Sequence, residues 1–359
     1  MKSFFRKNID AMDGYTPGEQ PKRNNLIKLN TNENPYPPSP KVAQILKEIS
    51  CESLRFYPNP TSDPLRHKLS EIFDLKIENI ITGNGSDDIL TIILRSFVNE
   101  NENIVCFDPT YSLYPVLAQI ENSNTVTISL TENYKISDNF FDRDFSKICS
   151  DIHNKVFFIS RPNSPTGNSF CIDKIRKICS VFKGIVVVDE AYVDFAEDTC
   201  IKLINEFKNV IITRTLSKSY SLAGIRLGWA MADQVLISGM MKVKDSYNVN
   251  QITQKLALAA VTDQQYLKTN IIKVITTRKY LTEKLTELGF TTINSQANFI
   301  FTSPPEKNAE DLFKYLRKNN VITRYFPSKK TGEYLRISVG TDKEIQLLIE
   351  LCKSFLSLR

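Results

Sequence analysis

Histidine is almost missing from this chain: His67 and His153 are the only two in 359 residues, and they lie far apart. Acid–base catalysis built on a histidine is weakly supported, and a histidine-based metal centre is not expected. The seven cysteines, Cys51, Cys106, Cys149, Cys171, Cys179, Cys200 and Cys352, are odd in number and widely spaced, and no Cys-x-x-Cys occurs. That usage argues against a disulfide scaffold and fits reduced thiols in the cytoplasm. There is no run of five or six Lys or Arg and the net charge is a modest +6, so nucleic acid is not an expected partner. No apolar run approaches the ~18 residues of a membrane span. Met1–Asp13 carries Lys2, Arg6 and Lys7 but lacks the apolar segment of a signal peptide.

What is present is an ordinary globular composition, 42% hydrophobic and 24% charged, on a chain long enough for two subdomains. Residues 1–38 read as an extended arm, because five prolines forbid a long helix. Ser39-Pro40 caps a helix running to Ile49, and a second helix covers Asp63–Phe73. Ile80-Ile81-Thr82 leads through Gly83-Asn84-Gly85 into a helix striped with Ile89, Leu90, Ile93, Leu94 and Phe97. Then short runs apolar on both faces recur, at 104–107, 126–129, 156–160, 185–188 and 210–213. Helices are expected between them at 111–121, 142–152, 172–182 and 199–207. This is the pattern of an α/β unit, a mostly parallel sheet flanked by helices. Beyond residue 250 a helix-rich stretch, with one long helix at 266–288, precedes strands at 297–302, 321–326 and 334–339 and helices at 308–319 and 342–356. The expected division is an arm (1–38), a large domain (39–250) and a smaller α+β domain (251–359).

The unusual polar residues sit just past the carboxyl ends of the expected strands. They are Asp108-Pro109-Thr110-Tyr111, Arg161 to Gly167, Asp189-Glu190-Ala191-Tyr192 and Ser217-Lys218. In an open parallel sheet those ends share one ligand site. Lys218 stands among Thr215, Ser217, Ser219 and Ser221, with Arg226 eight residues on. An amine beside hydroxyls and a guanidinium suited to phosphate points to pyridoxal phosphate, which is carried on a lysine. That chemistry also needs a carboxylate for the ring nitrogen, a flat cover for the ring and a donor for its O3′. Asp189, ending an apolar strand where an unpaired carboxylate is costly, suits the first. Tyr111 suits the second, and Tyr192 or the Asn163 turn the third. Gly83–Asp88 offers a helix N-terminus for the phosphate.

Three motifs carry a resemblance: Pro162-Asn163-Ser164-Pro165-Thr166-Gly167, Asp189-Glu190-Ala191-Tyr192, and Leu216-Ser217-Lys218-Ser219-Tyr220-Ser221-Leu222-Ala223-Gly224-Ile225-Arg226-Leu227-Gly228. Supporting stretches are Leu29–Pro37, Gly83–Asp88, Asp108–Tyr114, Ile322–Phe326 and Tyr334–Thr341. The chain resembles the fold-type I aminotransferases from about residue 13 to residue 341, and within them the histidinol-phosphate aminotransferase family. The resemblance implies that Lys218 holds the cofactor covalently, Asp189 pairs with the pyridine nitrogen, Tyr192 meets O3′ and Tyr111 stacks on the ring. Ser86, Asp87, Ser217 and Arg226 would hold the cofactor phosphate, and Tyr57 would reach that of a partner subunit, making a homodimer. Tyr15, Asn34, Arg324 and Arg336 would face the substrate, the two arginines accepting phosphate and carboxylate alike. Where the family often has Asn before the proline of Asn-Pro-Thr-Gly, this chain has Ser164, which leaves open whether Asn163 or Ser164 contacts O3′. Implied substrates are histidinol phosphate or imidazole acetol phosphate with glutamate or 2-oxoglutarate. Aromatic amino-acid aminotransferases and threonine-phosphate decarboxylase share the scaffold and are the alternatives. A DNA-binding regulator of this fold would need a helix-turn-helix domain ahead of the arm.

Overall fold

The computed structural model describes residues 3–20, 26–141 and 143–358. The arm is not uniformly extended. It contains helix α1 (Lys7–Ala11) and strand β1 (Ile27–Lys28). Helices α2 (Pro40–Glu48) and α3 (Asp63–Phe73) follow, α2 capped by Ser39, whose hydroxyl accepts from the Lys41 amide. Strand β2 (Ile80–Gly83) turns through Gly85, at φ +90°, into α4 (Ser86–Phe97). The alternation then runs β3 (Asn103–Asp108), α5 (Leu113–Ile120), β4 (Asn124–Ser129), α6 (Arg143–Ser150) and β5 (Asn154–Ser160). It continues with α7 (Ile172–Val181), β6 (Ile185–Asp189), α8 (Leu203–Glu206) and β7 (Val210–Thr215). Next come β8 (Gly228–Ala232), α9 (Gln234–Val243), α10 (Gln251–Thr262) and the long α11 (Gln264–Glu287). The last part comprises β9 (Thr291–Thr292), β10 (Phe299–Ser303), α12 (Ala309–Lys318), β11 (Val321–Ile322), β12 (Arg324–Tyr325), β13 (Leu335–Ser338) and α13 (Asp342–Ser357).

Seven strands form the main sheet in the order β2-β8-β7-β6-β5-β3-β4. The run from β7 to β4 is parallel, as the apolar strands imply. One face packs on Ile89, Leu90, Tyr114 and Met240, the other on Leu65, Leu69, Ile175 and Ala257, so the central strands are buried on both sides. β8 is a strand that the sequence did not announce. Gly-Trp-Ala-Met-Ala is poor in β-branched residues, yet it runs antiparallel between β2 and β7 because those neighbours complete its ladder. β4 is not apolar on both faces as expected: it is the sheet edge, and Asn124, Thr127 and Ser129 are exposed.

The helix expected at 199–207 shrinks to α8, because Glu190 accepts from the Thr199 hydroxyl and the Cys200 amide and pins the segment out of helical geometry. The strand expected at 321–326 is split at Thr323. Its first half pairs in parallel with β1 of the arm, its second half antiparallel with β13. The smaller sheet has the order β12-β13-β10-β9. α10 buries Leu256, Ala257 and Ala260 with Val42, Leu65 and Leu69 of the large unit. On that packing we propose that the division between the units falls within α11 rather than at residue 250.

Candidate active site

A cavity of about 810 Å³ opens at the carboxyl ends of β3, β5, β6 and β7, where the arm and the small sheet close over them. It is lined by Tyr15, Ser86, Asp87, Tyr111, Ser164, Asp189, Tyr192, Ser217, Lys218, Arg226, Arg324 and Arg336, all of them candidates from the sequence.

Asp189 ends β6 and is only 3% exposed. It accepts from the Tyr114 hydroxyl at 2.8 Å and the Thr213 hydroxyl at 3.1 Å. Burial pushes its pKa up, against these two hydrogen bonds, and the charge of Asp87 adds to the rise. Its neighbour Glu190 points the other way, as alternation along a strand requires, and is spent in a buried pair with Arg214 at 2.8 Å. Lys218 follows β7. Its Nζ donates to the Thr31 carbonyl at 3.1 Å and lies 5.6 Å from the centre of the Tyr192 ring.

The floor at α4 is assembled by close backbone approach. A Cβ on Gly228 would lie 2.4 Å from the Ser86 amide nitrogen, and one on Gly85 would lie 2.6 Å from Arg226 Nη2. Arg226, itself at φ +54°, spans Asp87 at 3.2 Å and the Ser217 hydroxyl at 3.5 Å. Free amides at a helix start, two hydroxyl-bearing turns and a guanidinium thus meet in one pocket, which is the donor set of a phosphate site.

Across the cavity, Arg324 and Arg336 are direct cross-strand partners on β12 and β13. Two cations placed opposite each other destabilise a sheet unless an anion comes between them. Arg336 donates to the Asn30 carbonyl at 2.8 Å and the Ser164 hydroxyl at 3.3 Å, and its Nε is buried with no hydrogen-bond partner. Arg324 donates to the Thr16 and Pro17 carbonyls at 3.1 and 3.2 Å. Tyr15 meets Tyr111 edge-on at 6.1 Å.

Three candidates lie elsewhere. Asn163 is fully buried behind the cavity: its amide donates to the Pro109 carbonyl and the Thr166 hydroxyl, and its oxygen accepts from Thr110. Ser164 holds the lining position instead. Asn34 does not line the cavity either. Its amide donates to the carbonyls of Lys218 and Ser219, so it braces the lysine turn. Tyr57 is 80% exposed on a separate groove, stacked on Tyr247 at 4.5 Å.

Sequence reasoning missed Tyr114 and Asn32. Tyr114 is three residues after Tyr111, and that helical spacing was the available signal. Asn32 stands in the arm motif at φ +57°. Its amide donates to the Tyr192 hydroxyl at 3.0 Å, and its oxygen accepts from Ser338 two residues past Arg336. It ties the two sides of the cavity, which no local pattern reveals.

The family model for aminotransferase class I and II matches residues 24–351. The chain is 42% identical over 363 residues to histidinol-phosphate aminotransferase 1 of Nostoc sp., covering 100% of both. It is 38% identical over 361 residues to histidinol-phosphate aminotransferase of Clostridium botulinum, covering 99% of each. Among solved structures, histidinol-phosphate aminotransferase from Sinorhizobium meliloti in complex with pyridoxal-5′-phosphate superposes with a TM-score of 0.87 at 22% identity, over 99% of each chain. The Clostridium acetobutylicum histidinol-phosphate aminotransferase gives 0.82 at 21% identity, over 93% of this chain and 100% of that one. These superpositions establish a fold-type I architecture, and the sequence identities establish kinship. The chain belongs to the class I and II aminotransferases, a pyridoxal-phosphate-dependent family, and within it to the histidinol-phosphate aminotransferases.

Proposed function

We propose that this protein transfers an amino group between histidinol phosphate and 2-oxoglutarate, giving imidazole acetol phosphate and glutamate. The observation that carries the substrate class is the pair Arg324–Arg336, directly opposed on one face and aimed at the cavity that holds Lys218. Histidinol phosphate brings a phosphate and no carboxylate, whereas glutamate brings two carboxylates. Planar guanidinium forks accept both kinds of anion.

The residues fit pyridoxal phosphate. The buried Asp189 carboxylate wants a cationic partner, and the Ser86–Ser217–Arg226 cradle wants a phosphate. The bound cofactor supplies a ring that absorbs the electrons released at the substrate's amine-bearing carbon. Lys218 would anchor it, and its Nζ would move the proton on and off that carbon. Asp189 would keep the ring nitrogen protonated, with Tyr114 and Thr213 fixing the carboxylate. Tyr192, oriented by Asn32, would donate to O3′, and Tyr111 would cover the ring. Ser164 lines the turn, while Asn163 and Asn34 shape it from behind.

Histidinol phosphate, phenylalanine and threonine phosphate, each offered with 2-oxoglutarate, test the reading. We expect histidinol phosphate to have the highest kcat/KM. Arg324→Ala should lower it by about ten- to a hundredfold, the cost of a charge-assisted hydrogen bond. Histidinol, which lacks the phosphate, should lose less. An equal loss for both compounds, or a preference for phenylalanine, would favour an aromatic aminotransferase instead.

We further propose that the enzyme works as a cytoplasmic homodimer in which Tyr57 reaches the cofactor phosphate of the partner's site. No helix among the described residues is long and apolar enough to cross a membrane. Tyr57 lies outside its own cavity, beside the exposed Leu54 and Phe56. Tyr57→Phe should weaken cofactor binding severalfold, about the value of one hydrogen bond. Equilibrium titration of the cofactor checks this, with sedimentation for the dimer. A fully active monomer at micromolar concentration would refute it.

A further inference from the structure

The arm crosses the cavity at residues 13–20 without helix or strand to stiffen it. What holds it are side chains of other segments. Arg324 reaches the carbonyls of Thr16 and Pro17. Asn30 donates its amide to the Glu19 carbonyl at 2.8 Å. Arg317, in the last turn of α12, forks onto both carboxylate oxygens of Glu19, with Nη2 at 2.8 Å from Oε1. Between these anchors Gly18 lies so close to Thr31 that a Cβ would stand 2.3 Å from its methyl group. Tyr15, Gly18 and Gln20 of this segment line the cavity, whereas Glu19 and Arg317 do not.

The contact with Arg324 orients it without neutralising it. Carbonyl oxygens carry no net charge, and a guanidinium has five N–H donors, of which the arm engages one on each terminal nitrogen. The remaining donors and the full positive charge stay available to an anion. A planar fork discriminates by angle, so the plane of Arg324 decides how well it meets a phosphate. That plane is set by two carbonyls whose position depends on the next residues of the arm. The hydrogen bond from Arg317 holds the Glu19 carboxyl below its usual pKa.

We infer that Glu19 and Arg317, outside the cavity, are positioning residues for recognition of the substrate's phosphate: they fix the arm, and the arm's carbonyls fix the plane of Arg324. The inference rests on the proposal that Arg324 meets that phosphate. Both side chains are nearly half exposed, so replacing either removes no core packing.

The test is steady-state kinetics of the holoenzyme with histidinol phosphate and with histidinol. The variants are Glu19→Gln, Arg317→Met and the charge-exchanged double variant Glu19→Arg/Arg317→Glu. An exposed ion pair is worth at most about 1 kcal/mol, so each single variant should raise KM for histidinol phosphate about three- to fivefold. Its kcat should stay within about twofold, and KM for histidinol should not move, since the pair acts only through the phosphate fork. The double variant should recover most of the loss. Single variants with wild-type KM, or a parallel rise for both compounds, would overturn the inference while leaving the substrate proposal in place. A wild-type enzyme that does not turn over histidinol phosphate would overturn both.

Discussion

Lys218→Ala is expected to lower transamination by at least about 10⁴-fold, because one substitution removes both roles proposed for this residue, covalent anchor and general acid–base group. No second lysine stands among the described residues that line the cavity. The other cations there are Arg226, Arg324 and Arg336, guanidinium forks suited to holding anions. Histidine is absent from the lining altogether. The purified wild-type protein should absorb visible light when loaded with cofactor, and the variant should lose that band. Single-turnover measurement of the half-reaction with histidinol phosphate supplies the rate. Turnover within tenfold of wild type would mean that another group moves the proton, and the assignment of Lys218 would fall.

Asp189→Asn should slow the same half-reaction by on the order of 10²- to 10³-fold, the range for loss of one preorganised electrostatic contact in a buried site. The substitution keeps the shape and removes the charge; the amide oxygen can still accept from Thr213, while the NH2 group would donate to the Tyr114 oxygen instead of accepting from it. Its effect on stability should depend on the cofactor. In the cofactor-free protein, burial first and the Asp87 charge next raise the Asp189 pKa above its unfolded value. The folded state then binds the extra proton, so the contribution of Asp189 to stability is most favourable at low pH. It declines as pH rises from the ordinary carboxylate range through the raised value. Above that window the aspartate is a charge held without a cationic partner, and asparagine relieves the penalty. The cofactor-free variant should therefore melt no lower than wild type at neutral pH, whereas the loaded variant should melt lower. Thermal unfolding with and without pyridoxal phosphate reads both. An equal drop in the two states would make Asp189 a structural residue and move the ring's partner elsewhere.

That these residues share one cavity was legible in the sequence because the signal is local. Asp189, Lys218 and the Ser217–Arg226 turn each follow a short apolar strand, and strand ends in a parallel sheet must gather on one edge. The doubly covered sheet was legible for the same reason: Val186-Val187-Val188 and Ile211-Ile212 have no polar face to offer water. What the sequence could not decide was set by contacts between distant segments. Asn163 and Asn34 look like ligands from their motifs, but packing spends the Asn34 amide on two backbone carbonyls and the Asn163 amide on a carbonyl and the Thr166 hydroxyl. Asn32 and Tyr114, unremarkable in a linear reading, hold Tyr192 and Asp189 in place. β8 is a strand only because β2 and β7 flank it. The opposition of Arg324 and Arg336 arises from strand register, and register is a property of the pairing of two segments. A side chain's identity is written along the chain; whether its donors remain free for a ligand depends on what folding brings next to them.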